Sequence, residues 1–107
     1  VKIGENSIIA GQVGIAGSSI IGNNVKIGEN SIIAGQVGIA GSSIIGNNVK
    51  IGGQAGISGH LKIGNNVEIG GGSGVIRDIS DNKKVMGYPA KNIREFLREN
   101  KWFTKQL

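Results

Sequence analysis

Residues 1–24 read VKIGENSIIAGQVGIAGSSIIGNN and carry an isoleucine at every sixth position from Ile3 onward. The spacing continues to residue 75, and no sixth place is polar. The thirteen positions are Ile3, Ile9, Ile15, Ile21, Ile27, Ile33, Ile39, Ile45, Ile51, Ile57, Ile63, Ile69 and Val75. The residue after each of them is small, except at Ile76. A fixed short period of this kind is typical of a solenoid, in which each repeat packs on the next.

This period of six excludes one long amphipathic helix, because a helix needs apolar residues at a spacing near 3.6. The chain also has 20 glycines, and each glycine inside a helix costs about 1 kcal/mol relative to alanine. Short strands fit better, with the isoleucine inward and triplets such as Gly-Glu-Asn and Gly-Asn-Asn at corners that need a positive φ. A second inward residue follows each isoleucine by four places, as at Ser7, Val13, Ser19, Val25, Ala55, Leu61, Val67 and Ser73. We therefore predict an all-β solenoid over residues 1–79.

Residues 25–48 repeat residues 1–24 letter for letter. Surface positions of a solenoid are free to vary, so perfect identity predicts an engineered duplication; a recent natural duplication is the alternative. The start in mid-pattern without a methionine favours an engineered, truncated chain, and tag removal or proteolysis would explain it as well.

Length and composition restrict the class of protein. A chain of 107 residues is long enough for one domain but short for a chain that must bury its own hydrophobic core. We therefore expect it to oligomerise. It has no cysteine for disulfides or zinc–thiolate sites and no spanning apolar run, and we expect a cytoplasmic location. Of the net charge of +5, residues 80–107 carry +4, with seven basic and three acidic side chains.

The hexads resemble those of the hexapeptide-repeat acyltransferases. That resemblance implies a left-handed parallel β-helix with three hexads per coil and a homotrimeric assembly. With three hexads per coil, Ile3, Ile21, Ile39, Ile57 and Val75 share one face, and the second copy is rotated by one face relative to the first. Within the family, QVGIAGSSIIGNNVKIGGQAGISGHLKIGNNVEIGGGSGVIRDI followed by VMGYPAK is similar to the C-terminal half of UDP-3-O-acylglucosamine N-acyltransferase, an enzyme of lipid A biosynthesis.

The resemblance also implies site residues for acyl transfer from an acyl carrier protein thioester to a UDP-glucosamine amine. Asn23 stands where the family has its general-base histidine, and an amide cannot accept the proton. Gly41 takes the place of the oxyanion-hole glycine, and His60 matches a second histidine near the acyl-donor site. His60 is the only histidine, so the alternative is that it is a corner residue only. We expect no cofactor, and one histidine with scattered carboxylates predicts no metal site.

Residues 80–107 break the period. Ser80, Asp81 and Asn82 form turns, Tyr88-Pro89 ends a strand at Val85-Met86, and Asn92 with Glu95 predicts the start of a short C-terminal α-helix. Ile93, Phe96, Leu97, Trp102 and Phe103 would give this helix an apolar side, which either caps the solenoid or meets its copies in an oligomer. The basic residues suit an acidic acyl carrier protein, and the alternative is a merely solvated basic helix; they are Lys83, Lys84, Lys91, Arg94, Arg98, Lys101 and Lys105. We expect neither nucleic acid nor a membrane span.

Two functions stay open. The first is an engineered β-helix scaffold without activity, since the base and the family's N-terminal substrate-binding domain are missing. The second is an active acyltransferase with a different base. An ice-binding solenoid is excluded, because such surfaces need ranks of threonine and Thr104 is the only one.

Overall fold

The computed structural model describes residues 1–99, and these form a parallel β-solenoid of about five coils with one short helix. The fold class predicted from the hexads is thereby confirmed. The described residues span 45 × 26 × 22 Å along their principal axes.

Fifteen short strands make up the solenoid and its C-terminal hairpin. In chain order they are β1 Lys2–Ile3, β2 Ile8–Ile9, β3 Gly14–Ile15, β4 Ile20–Ile21, β5 Lys26–Ile27, β6 Ile32–Ile33, β7 Gly38–Ile39, β8 Ile44–Ile45, β9 Lys50–Ile51, β10 Gly56–Ile57, β11 Lys62–Ile63, β12 Glu68–Ile69, β13 Gly74–Val75, β14 Lys84–Met86 and β15 Lys91–Asn92. One helix follows, α1 Ile93–Glu99.

The strands form three sheets, which are the three faces of a prism. Face A is β1-β4-β7-β10-β13, face B is β2-β5-β8-β11, and face C is β3-β6-β9-β12-β14-β15. Neighbouring strands within the solenoid are parallel and pair residues 18 apart, as Ile3 with Ile21 and Ile21 with Ile39. Ile57 pairs in turn with Ile39 and with Val75. The predicted common face for these five residues is confirmed.

Two-residue turns join the faces at three corners. Corner A (residues 5–6, 23–24, 41–42 and 59–60) follows face A, corner B (11–12, 29–30, 47–48 and 65–66) follows face B, and corner C (17–18, 35–36, 53–54 and 71–72) follows face C. The second residue of each turn has a φ near +60°, mostly at asparagine, glutamine or serine, as at Asn24 with 59° and Gln54 with 64°. The predicted positive φ is thus confirmed, and side chains that tolerate the left-handed region occupy it.

The core is the column of inward side chains between the three sheets. Fully buried members include Ile21, Ile39 and Ile57 from face A, with Val25, Val49 and Val67 beside them at 0% exposure. Each buried aliphatic side chain contributes about 1.5–3 kcal/mol. At the first coil the column is open, and Ile3 is 51% exposed.

The other end of the column is covered by Ile79, Val85 and Ala90, which pack against the core. Strand β14 extends face C in parallel, and β15 pairs with it antiparallel, a hairpin that the sequence did not predict. The hairpin segment therefore closes this end, and none of the described helix residues packs on the core.

Helix α1 begins where the sequence predicted. The Asn92 side chain accepts a hydrogen bond from the Arg94 N–H at 3.0 Å, as an N-cap residue does. The helix contacts β14 and β15, and the Phe96 ring lies so close to Gly87 that a Cβ there would come within 2.8 Å of it. Trp102, Phe103 and Lys101 lie outside the described residues. No helix among residues 1–99 has the length and apolar character that a membrane crossing needs.

Candidate functional site

Corner A brings the three predicted site residues together in consecutive coils. The His60 N–H donates to the Gly41 carbonyl at 3.1 Å, and the Ser42 N–H donates to the Asn23 carbonyl at 2.9 Å. Parallel strands lie about 4.8 Å apart, so Asn23 and His60 are separated by about 10 Å along the prism axis. Because Asn23, Gly41 and Gly59 are 18 residues apart, the three coils present these positions in one column.

His60 is an exposed corner residue with a φ of 61°. It occupies the same turn position as Asn24 and Ser42, where the backbone is left-handed. A histidine there is strained relative to glycine, since a Cβ disfavours this conformation. No group of three or more histidine, cysteine or acidic residues within residues 1–99 is arranged to hold a metal ion.

The Asn23 carboxamide has a structural partner. Its Oδ1 accepts the Glu5 N–H of the preceding coil at 2.8 Å. At corner B, Asn47 accepts the Glu29 N–H at 2.9 Å, and Asn65 accepts the Asn47 N–H at 2.8 Å. Asn23 is therefore a member of the same kind of corner ladder, in which each coil supplies an acceptor for the turn amide of the coil before it.

The Gly41 N–H differs from these turn amides. The residue one coil further on is Gly59, which has no side chain to accept a hydrogen bond. Within the part of the chain that the structure describes, the Gly41 amide has no acceptor, although the residue is only half-buried. Gly22 leaves room for it, because a Cβ at Gly22 would lie 2.7 Å from the Gly41 nitrogen. The Asn23 and Gly59 N–H groups of the same column likewise have no acceptor among residues 1–99, so corner A offers three such backbone donors, and those of Gly41 and Gly59 are the nearer two to His60.

A groove of about 690 Å³ runs along face A and was missed by sequence reasoning. Its floor is made by Gly38, Gly56 and Gly74, and Ile20, Ile76 and Tyr88 stand around it. The groove reaches Gly22, Ala40 and Ser58, each placed directly before the corner A turns. The signal for it was present in the sequence, since three glycines 18 residues apart occupy the outward position of successive strands.

The basic residues of the C-terminal region are partly neutralised. Lys84 lies 3.5 Å from a Glu68 oxygen, and Lys50 lies 3.9 Å from the other one. Lys91 pairs with Glu99. Within residues 1–99, Lys83, Arg94 and Arg98 form no such pair, and Lys101 lies beyond this range.

Comparison with known proteins identifies the family. The model for "Bacterial transferase hexapeptide (six repeats)" matches residues 1–35 and 42–77. The chain therefore belongs to the bacterial transferase hexapeptide family, which confirms the predicted resemblance at that level. No curated protein matches the chain in sequence.

Similar solved structures include serine acetyltransferases. The enzyme from Neisseria gonorrhoeae, in complex with serine, is 31% identical with a TM-score of 0.68, and the match covers 84% of this chain and 38% of that chain. The soybean enzyme, also with serine, is 29% identical with a TM-score of 0.70 over 86% of this chain and 40% of that chain. The Entamoeba histolytica enzyme is 23% identical, with a TM-score of 0.72 over 78% and 37%, and it shows the fold alone. This chain thus spans about two fifths of the length of these enzymes.

Proposed function

We propose that this chain is an engineered scaffold: an internally duplicated β-helix derived from UDP-3-O-acylglucosamine N-acyltransferase that assembles as a homotrimer and does not catalyse acyl transfer. One observation carries the proposal. The Asn23 carboxamide, which the family resemblance assigns to the position of the general base, is hydrogen-bonded to the Glu5 amide.

The chemistry supports this choice. Acyl transfer from a thioester to an amine needs a group that takes the proton of the attacking nitrogen, and losing such a base typically costs about 10²–10⁴-fold in rate. His60 is the one histidine of the chain, and its left-handed corner lies two coils away from Asn23. An exposed imidazole without a positioned partner is a poor substitute for that base.

The identity of residues 1–24 and 25–48 supports an engineered origin. The unit of four hexads is one and one third coils, so the second copy presents its surface residues on a different face. Ile8 is on face B, and its equivalent Ile32 is on face C. The rotation moves each surface residue of the second copy to another face, whereas the inward residues keep their register.

A direct assay tests the proposal. The chain is incubated with a 3-hydroxyacyl–acyl carrier protein and a UDP-glucosamine derivative with a free 2-amine, and product is followed by mass spectrometry. We expect no product above the protein-free rate, and little recovery in the Asn23→His variant. Turnover by the unchanged chain that the His60→Ala variant loses would refute the scaffold proposal.

The second candidate function is acyl transfer with another base, and one observation favours it. The Gly41 amide is available beside the corner of His60, at the edge of the face A groove, and an available backbone amide is what an oxyanion hole requires. Two similar structures are serine acetyltransferases with bound serine, so the same assay includes an acetyl thioester with serine. Product in either arm, lost in His60→Ala, would establish this candidate.

The proposed partners have their own tests. Light scattering on the purified chain should give the mass of three chains. Binding of an acyl carrier protein through Lys83, Arg94 and Arg98, together with the partly paired Lys84 and Lys91 and with Lys101, should weaken as salt rises, because exposed charges are screened. Binding that is unchanged by salt would argue against this basic surface.

A further inference from the structure

A cavity of about 260 Å³ lies at the C-terminal end of the core column, between the last coil and the hairpin of β14 and β15. Val75 from face A and Val85 from face C form its floor. Ile79, which bridges to Ile63 at the end of face B, and Ala90, in the connection from β14 to β15, complete that floor. Within residues 1–99 the cavity shares only Val75 with the face A groove, so it is a separate site.

Hydrogen bonds to the last coil hold the walls of this cavity in place. The Ala90 N–H donates to the Gly74 carbonyl at 2.7 Å, and the Ile79 N–H donates to the Lys62 carbonyl at 3.0 Å. The Asp78 carboxylate, at the rim, accepts the Lys62 N–H at 2.8 Å. The cavity is therefore formed before any ligand enters it, and a preformed site avoids much of the ordering cost of binding.

The rim of the cavity is cationic. Arg77, Lys83 and Lys91 line it together with the carboxylate of Asp78. The side chains of Arg77 and Lys83 form no ion pair within residues 1–99, whereas Lys91 pairs with Glu99. Three positive charges against those of Asp78 and Glu99 leave a local net charge of +1.

We propose that this cavity binds a small organic anion, a carboxylate that carries an apolar tail of a few carbons. An aliphatic floor below a cationic rim fits a ligand that is apolar at one end and negative at the other. The planar guanidinium of Arg77 matches the geometry of a carboxylate, to which it can donate two hydrogen bonds. A monoanion neutralises the local charge of +1, whereas a phosphate monoester would bring a further negative charge close to Asp78.

This site goes beyond the proposed function and does not depend on it. None of the candidate residues at corner A lines the cavity, and no assembly of copies is needed to complete it. Lys83 and Lys91 also belong to the basic surface proposed for an acyl carrier protein. Arg77 does not belong to that surface, so a substitution of Arg77 tests the cavity alone.

A titration with sodium hexanoate, followed by ligand-observed NMR, tests the proposal. Arg77→Gln removes one positive charge from the rim, and Lys83→Gln provides a second rim variant. Lys26→Gln is the matched control, since Lys26 is also exposed and without an ion pair among the described residues but lies on face B. We expect each rim variant to raise the dissociation constant of hexanoate by about 10-fold, because a charge-assisted hydrogen bond is lost. Lys26→Gln should leave it unchanged, and circular dichroism checks that each variant is folded.

A ligand series tests the floor and the rim separately. From butyrate to pentanoate to hexanoate, each added methylene should lower the dissociation constant by about 3-fold, because it is removed from water against the aliphatic floor. Hexylamine, which has the opposite charge, should not bind. Hexyl phosphate should bind more weakly than hexanoate.

Several results would overturn the proposal. If the unchanged chain does not bind hexanoate, or if the rim variants bind it as tightly as the unchanged chain does, the cavity is not a site for this ligand. An equal loss in Lys26→Gln would mean that the anion is attracted by the overall positive charge. Equal affinities for butyrate and hexanoate would show that the floor takes no part, and tighter binding of hexyl phosphate would contradict the choice of a carboxylate.

Discussion

The Ser31 hydroxyl donates a hydrogen bond to the Gly46 carbonyl of the next coil at 3.0 Å and also accepts the Val49 N–H at 3.1 Å. Ser31 is fully buried, so this hydroxyl satisfies a buried N–H and a part-buried carbonyl from inside the core. Ser73 occupies an equivalent inward position and is 2% exposed, but its Oγ has no hydrogen-bond partner among the described residues. The regular coils end after Ser73, so no following coil supplies a carbonyl that could accept a hydrogen bond from its hydroxyl.

Replacing each of these two serines by alanine should change the free energy of unfolding differently. Ser31→Ala leaves a part-buried carbonyl and a buried N–H without that partner, so we expect the free energy of unfolding to fall by about 1–3 kcal/mol. Ser73→Ala removes a hydroxyl that is buried without compensation, so the free energy should stay constant or rise by up to about 1 kcal/mol. Urea denaturation at one fixed protein concentration measures both. Equal losses in the two variants would show that the Ser73 hydroxyl does have a partner.

Replacing an isoleucine of the core by alanine should lower the free energy of unfolding more where the side chain is more deeply buried. Ile39→Ala truncates a side chain that is 2% exposed, and we expect a loss of about 2–5 kcal/mol because a cavity remains. Ile3→Ala is the matched control on the same face, where the side chain is 51% exposed. Its loss should stay below about 1 kcal/mol. A loss at Ile3 as large as that at Ile39 would contradict the open first coil.

The asparagine ladder of corner B makes a smaller contribution. Asn47→Ala removes the acceptor of the Glu29 N–H and should cost about 0.5–1.5 kcal/mol, whereas Asn47→Asp keeps an acceptor oxygen and should cost less. Glu29→Ala is the control, since it removes a side chain but leaves the bonded amide in place. Thermal unfolding ranks the three variants. If Glu29→Ala proves the most damaging, the ladder is not the source of the effect.

His60 provides a test at the candidate site. Its φ of 61° favours glycine and disfavours a β-branched residue. We therefore expect His60→Gly to leave the free energy of unfolding unchanged or to raise it by up to about 1 kcal/mol, and His60→Val to lower it by about 1 kcal/mol or more. Thermal unfolding of the two variants beside the unchanged chain measures this. Asn24→Gly, at the same turn position two coils earlier in the column, is the control and should behave as His60→Gly does. A marked loss in His60→Gly alone would mean that the imidazole makes a contact that holds the corner.

Much of the site's position could be predicted, because it follows from the period. Asn23, Gly41 and Gly59 are multiples of 18 apart, so three hexads per coil put them in one column, as the structure has them. What the Asn23 side chain does could not be predicted in this way. The bond from the Glu5 amide depends on the direction of a rotamer at a corner, and the period says nothing about rotamers.

By itself the sequence determined that the chain is a β-solenoid, since a hydrophobic residue at every sixth place is buried by short stacked strands; the register of 18 residues was implied only by the resemblance to the hexapeptide-repeat family. It also placed the start of α1, because Asn92 can cap a helix locally. Tertiary structure alone decided how the solenoid ends, with β14 and β15 closing the core, and why Ser73 lacks a partner. It also decided that the outward residues of face A around Gly56 carry no charge. These features depend on contacts between coils and on a segment without a repeat, where no local pattern limits the chain to one conformation.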